Sequence, residues 1–200
     1  MVILPKTIDD HLSINPEMLT DRLKEATKVN HQLLERKLVG KMKAIRSVDD
    51  YSSLLAIFYQ YFGGLEKLIA GQLDQSLIPD YNTRRKSAAL TSDLIDLGAM
   101  IPSTATTSEL PAIKNHRQAL GALYVIEGST LGGQIISNMI KKQLPSIAGH
   151  GLTFFDGYGE NTADMWERFK LFIDKEGNLD GDQVIDSANE TFLKFSDYFH

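Results

Sequence analysis

The chain has 200 residues, 42% of them hydrophobic and 24% charged, with a formal net charge of −5 and no cysteine. That length and composition suit one water-exposed domain with a full core. The acidic balance argues against nucleic acid as the main partner, and the lack of cysteine excludes disulfides, thiolate metal sites and cysteine nucleophiles. No apolar run approaches the roughly 18 residues that a membrane span needs, so no membrane partner is expected. The opening MVILPKTIDDHLS lacks a long apolar core and a small-residue cleavage site, so it reads as a mature, cytoplasmic start.

Residues 1–15 read as an N-terminal arm and 16–200 as one helical domain. Asn15-Pro16 is a helix-start signal, a capping side chain followed by proline at the first helical position. The helix behind it is expected to run to about 39, with Gly40 as its stop. Ser47-Val48-Asp49-Asp50 resembles a capping box, and a long helix follows to about 74, interrupted at Gly63-Gly64. A third helix fits 84–97, with Leu90, Leu94 and Leu97 in line and Gly98 at its end. The polar stretch PSTATTSELP (102–111) is a loop. A helix over 113–143 carries Gly121, Gly128, Gly132 and Gly133, residues 146–159 form a glycine-rich loop, and two further helices fit 160–175 and 181–199. No segment alternates as a strand does. The expected class is all-α, a single-domain multi-helix bundle.

The glycines in the helix 113–143 need a reason, because each costs about 1 kcal/mol of helix preference relative to alanine. Gly121, Val125, Gly128, Gly132 and Ile136 share one face. Such a stripe serves either close helix packing or the approach of a flat ligand to the backbone. Of the five histidines, His31 alone sits well inside a strongly patterned helix. Lys24, Lys28, His31 and Glu35 fall within about 60° of helical arc, with Lys24 roughly 10 Å from His31. This quartet reads either as a solvated face with ion pairs, or as an iron ligand with basic partners and a carboxylate that orients the imidazole. A single histidine without cysteine cannot build a zinc site, and paired Glu-x-x-His motifs are absent. A haem needs only one strong protein ligand.

LKEATKVNHQLLE (23–35) resembles the proximal helix of haem oxygenases, and ALYVIEGSTLGGQII (122–136) resembles their distal helix. RRKSAALTSDLIDLG (84–98) and FFDGYGENTADMWERF (154–169) agree with the bacterial biliverdin-producing branch of that family. The resemblance implies haem b as both substrate and cofactor, and cleavage to biliverdin, carbon monoxide and ferrous iron with O2. It makes His31 the metal ligand, and Lys24 and Lys28 partners of the propionates. Glu35, Tyr124, Gly128, Gly132, Gly133, Tyr158 and Arg168 join them in holding haem, with Lys170 near the propionates. Gly128, Ser129 and Gly132 form the distal catalytic surface. Ser129 stands where the animal enzymes carry aspartate, so Ser129, Thr130, ordered water and, farther along, Gln134 are the candidates for the distal hydrogen bonds.

No flavin or nicotinamide fingerprint is present, so electrons are expected from an external ferredoxin- or flavodoxin-type system. A bacterial phytochrome is an expected acceptor of biliverdin. Three other readings stay open on sequence alone: a haem carrier without turnover, a non-haem enzyme on the same helical scaffold, and a helical interaction module whose glycine stripe only packs helices.

Overall fold

The computed structural model describes residues 18–78, 80–176 and 181–199, and the expected arm and the Asn15-Pro16 signal lie outside them. Seven α-helices and no strand occur among the described residues: α1 (Leu19–Ala44), α2 (Val48–Ala70), α3 (Ala88–Asp96), α4 (His116–Gln143), α5 (Thr153–Asp156), α6 (Thr162–Glu176) and α7 (Gly181–Ser196). The all-α reading holds.

Helix α4 runs through the centre and packs on α2, α5, α6 and α7, while α1 lies along α7 and is crossed by α6. The start of α1 is tied to α6 by Asp174, whose carboxylate accepts from the Thr20 amide at 2.8 Å and the Thr20 hydroxyl at 2.9 Å. Farther along, Asn30 donates to Asn189 at 2.7 Å and Lys37 to the Ser196 carbonyl at 2.8 Å, both on α7. Phe58 and Phe62 from α2, Phe154 and Phe155 from α5 and Phe195 from α7 meet edge-on or tilted in the core. Tyr61 stacks on Phe195 with ring centroids 4.7 Å apart.

The Ser47 capping box is present, with Ser47 accepting from the Asp50 amide and Asp50 accepting from the Ser47 amide. Gly98, at φ +70°, follows α3 as expected. Other boundaries differ for physical reasons. Gly40 does not stop α1, because the next turn buries Met42 and Ile45, which outweighs the cost of one exposed glycine. Gly63 and Gly64 do not interrupt α2. They let the 102–111 loop lie on the helix: a Cβ at Gly63 would stand 2.8 Å from Thr104 and one at Gly64 2.9 Å from the Ala105 carbonyl oxygen. Helix α3 starts at Ala88, not at 84, because Arg84 and Arg85 are drawn inward as an extended segment. The 146–159 loop contains α5, whose first amides, Thr153 and Phe154, donate to Asp93 at 2.8 Å each. A four-residue helix held by a distant carboxylate leaves no period in sequence.

Candidate functional site

An open cleft lies between α1 and α4. His31, Leu34, Glu35 and Leu38 form its α1 wall, and Val125, Ser129, Gly132 and Ile136 its α4 wall. Phe58, Phe62, Phe154, Phe155, Phe192 and Phe195 close its floor. The amphipathic pattern of α1 and the aromatic core thus leave a slot that is apolar except at His31, Glu35 and Ser129.

The His31 imidazole stands against Phe192 with ring centroids 5.3 Å apart. Glu35, one turn on, lines the same cleft, and no hydrogen bond joins the two side chains. Lys24 and Lys28 are exposed on the turns of α1 before His31, beyond the cleft lining, and Lys28 Nζ lies 3.6 Å from Glu25. Among the described residues no group of three His, Asp or Glu is placed to hold a metal ion. One imidazole in an apolar slot fits a metal that brings its other ligands with it, as a porphyrin does. A flat apolar ring also fits walls of leucine, isoleucine and bare glycine.

The glycine stripe divides. Gly121 and Gly133 serve packing: a Cβ at Gly121 would stand 2.2 Å from the Val184 carbonyl oxygen, and one at Gly133 2.3 Å from that of Phe155. Gly132 has nothing within 4 Å of its Cβ position and faces the cleft. A Cβ at Gly128 would stand 3.6 Å from the Trp166 ring, and Gly128, expected to hold haem, is not among the residues that line the cleft. Close packing therefore accounts for Gly121 and Gly133, while Gly132 borders open cleft space.

Ser129 is half-buried at the cleft wall, and its hydroxyl donates to the Ile126 carbonyl at 2.6 Å. Thr130 is buried and donates to the Glu127 carbonyl at 2.6 Å, turned away from the cleft. Gln134 reaches the Asp156 carbonyl at 3.4 Å. Tyr124 is buried beside Trp166, with centroids 5.4 Å apart, and does not line the cleft. Tyr158 also lies off the cleft. Burial raises its phenol pKa, so it stays protonated and donates to Glu127 at 3.0 Å, while its oxygen accepts from the Arg85 amide at 2.9 Å. Arg168 is exposed on α6, and Lys170 there pairs with Glu167 at 2.9 Å.

Behind the α4 wall lies a polar group that sequence reasoning missed. Arg84 and Glu127 form a buried ion pair at 2.6 Å, each side chain 1% exposed, and Asp80 holds the other edge of Arg84 at 2.9 Å. The Arg85 guanidinium lies over the Phe154 ring at 3.9 Å and donates to Ile126 O at 2.8 Å, Ser129 Oγ at 2.7 Å and Phe154 O at 3.3 Å. The available signal was Glu127 itself, one acid inside the apolar run ALYVIEG, which demands a buried cation. Arg84-Arg85 was the obvious supply.

The chain matches the family described as "Heme oxygenase" over residues 17–200. It is 31% identical over 127 residues to the haem oxygenase of Xanthomonas campestris pv. campestris, an alignment covering 64% of this chain and 73% of that protein. It is 32% identical over 124 residues to haem oxygenase PigA of Pseudomonas aeruginosa, covering 62% of each. The fold superposes on the NO- and CO-bound haem oxygenase of Neisseria meningitidis with a TM-score of 0.76 at 21% identity, over 92% of this chain and 90% of that one. Haem oxygenase 2 of Chlamydomonas reinhardtii, solved without haem, gives 0.73 at 21% identity, over 92% and 96% of the two chains. With a family match that spans the helical domain and a fold shared with its solved members, the chain belongs to the haem oxygenase family.

Proposed function

We propose that haem lies in the cleft between α1 and α4, with His31 on its iron and the Gly132 backbone over its opposite face. As a haem oxygenase the protein degrades haem oxidatively. The observation that carries the site assignment is a single imidazole on one wall of an apolar slot, with a glycine open to that slot on the other.

Bound haem supplies an iron that takes up electrons and O2 and a macrocycle that is the substrate. The protein's part is placement. The phenylalanine floor keeps water from the buried edge of the slot, and the bare backbone at Gly132 leaves room above the ring. Lys24 and Lys28, on the turns of α1 before His31, offer positive charge to carboxylates at the open edge. Ser129 brings a hydrogen-bonding oxygen to the distal wall. Electrons come from a separate ferredoxin- or flavodoxin-type donor, and the reaction takes place in the cytoplasm. Biliverdin leaves for an acceptor such as a phytochrome. Among the described residues no helix is long and apolar enough to cross a membrane.

The test is an anaerobic titration with haemin, followed by admission of air and ascorbate with catalase present, watched by absorption. A 1:1 complex whose haem bands give way to biliverdin is expected. His31→Ala should lose both the normal spectrum and turnover. Its stability should stay within about 0.5 kcal/mol of wild type, because the ring is exposed and supports no buried contact beyond Phe192. Haem bands that persist in air would identify a carrier, and absence of a complex would remove haem from the cleft.

A further inference from the structure

Arg84 and Arg85 are neighbours with opposite circumstances. Arg84 is neutralised by Asp80 and Glu127. Arg85 is equally buried, yet every group its guanidinium touches is uncharged: two carbonyl oxygens, one hydroxyl and an aromatic face. Its Nε has no partner at all. Burial pushes its pKa down to about 10, with Glu127, Tyr158 and Glu66 opposing from farther off, so it remains a cation at neutral pH. A buried cation without a carboxylate is expensive, and packing alone does not call for one.

Its Nη2 donates to both the Ile126 carbonyl and the Ser129 Oγ. Ser129 has one proton, which it gives to the same Ile126 carbonyl at 2.6 Å. In that arrangement Ser129 shows the cleft only a lone pair. A hydroxyl rotates freely, however, and the cost of turning it lies in the acceptor it abandons. Here the Ile126 carbonyl would still receive Arg85. The same guanidinium, bonded to the serine oxygen, polarises the O–H and makes it a stronger donor.

We propose that Arg85 is a positioning residue that frees the Ser129 hydroxyl to donate a hydrogen bond into the cleft, so that an arginine–serine pair supplies the distal donor. This rests on the placement of haem in the α1/α4 cleft. It also explains why serine suffices at this position: the charge that polarises the distal wall sits one residue behind it, on a different element.

The experiment uses the haemin complexes of wild type, Ser129→Ala, Arg85→Gln and the double variant. Two quantities are read: the biliverdin-forming rate and the midpoint of the alkaline spectral transition of the ferric complex. Each single variant should slow turnover about 10- to 100-fold, the worth of one hydrogen bond to a charged group, and raise the midpoint. The double variant should be no worse than Ser129→Ala, because Arg85 acts through that oxygen. If Arg85 acted only by its field or by packing, Arg85→Gln would have the same effect with and without Ser129, and the proposal would fall. Ser129→Ala at the wild-type rate and midpoint would overturn it too. If Arg85→Gln does not fold, Arg85→Lys keeps the charge but has no fork to hold both oxygens. It should still slow turnover, and a wild-type rate in it would refute the proposal. Loss of the 1:1 haemin complex in wild type would instead condemn the cleft assignment, so the two failures are separable.

Discussion

Gly133 lies so close to Phe155 that a Cβ added to it would stand 2.3 Å from the Phe155 carbonyl oxygen. Its neighbour Gly132 meets nothing within 4 Å. The same substitution at adjacent positions should therefore separate packing from ligand contact. Gly133→Ala forces α5 away from α4 and should cost about 1–3 kcal/mol in urea unfolding. Gly132→Ala should gain up to about 1 kcal/mol from helix propensity while lowering haemin affinity and turnover, because the new methyl enters the cleft. Equal stability in the two variants would contradict the packing assignment, and a Gly132→Ala protein with normal haemin affinity and turnover would contradict the cleft assignment.

That division marks the limit of what was legible in the sequence. The stripe of Gly121, Gly128 and Gly132 was visible from spacing, since positions three, four and seven apart share a face. Which glycine meets backbone and which meets space depends on α5 and α7, elements far away in the chain. The shared face of Lys24, Lys28 and His31 was legible for the same local reason, being within two turns of one helix. Arg85 was not, because its partners Ile126, Ser129 and Phe154 lie 41 to 69 residues on. Gly40, Gly63 and Gly64 misled because glycine marks both helix ends and close contacts, and only the packing tells them apart.

The Arg84–Glu127 pair at 2.6 Å is fully enclosed. Removing Glu127 leaves Arg84 buried with Asp80 as its remaining carboxylate, so Glu127→Ala should lose about 1–3 kcal/mol of stability. Tyr158 loses its acceptor in the same step. The double variant Arg84→Met with Glu127→Leu should recover part of that loss, since the two enclosed charges go together and Asp80, with its side chain 21% exposed, reaches solvent. A denaturation series on the two proteins tests this. If the double variant is as unstable as Glu127→Ala alone, the cost lies in lost packing and not in the under-compensated charge.

Glu66 stands below the start of α3 and accepts from the Ser87 amide at 2.8 Å and the Ser87 hydroxyl at 2.6 Å. Burial raises its pKa above the ordinary 4.5, against the lowering effect of those hydrogen bonds. A raised carboxyl binds its proton more tightly in the folded state. Its contribution to stability is thus most favourable at low pH, and it declines as pH rises from about the unfolded value through the folded one. Glu66→Gln keeps the shape and removes the titration. Relative to wild type, the variant should gain stability as pH rises above the ordinary 4.5. A wild type that gains on the variant over that range would reverse the sign and show that the Ser87 bonds outweigh burial.

Lys24 and Lys28 are the remaining expectation on α1, and salt separates their role from that of His31. Both are exposed, and the Lys28 side chain, 57% exposed, has only the 3.6 Å contact with Glu25 to hold it. An exposed pair of this kind contributes less than about 1 kcal/mol, so replacing either lysine should not affect folding. If they attract the carboxylates of haem, Lys24→Ala and Lys28→Ala should each weaken haemin binding by a few-fold at low ionic strength. The deficit should shrink as salt screens the interaction over its Debye length of about 10 Å at 0.1 M. His31→Ala removes a coordinate bond, which salt does not screen, so its deficit should persist at every ionic strength. A lysine variant whose deficit is independent of salt would show that the side chain acts by contact, through its apolar stem against the ring. No deficit in either variant would move the anionic edge of the ligand to the other end of the cleft.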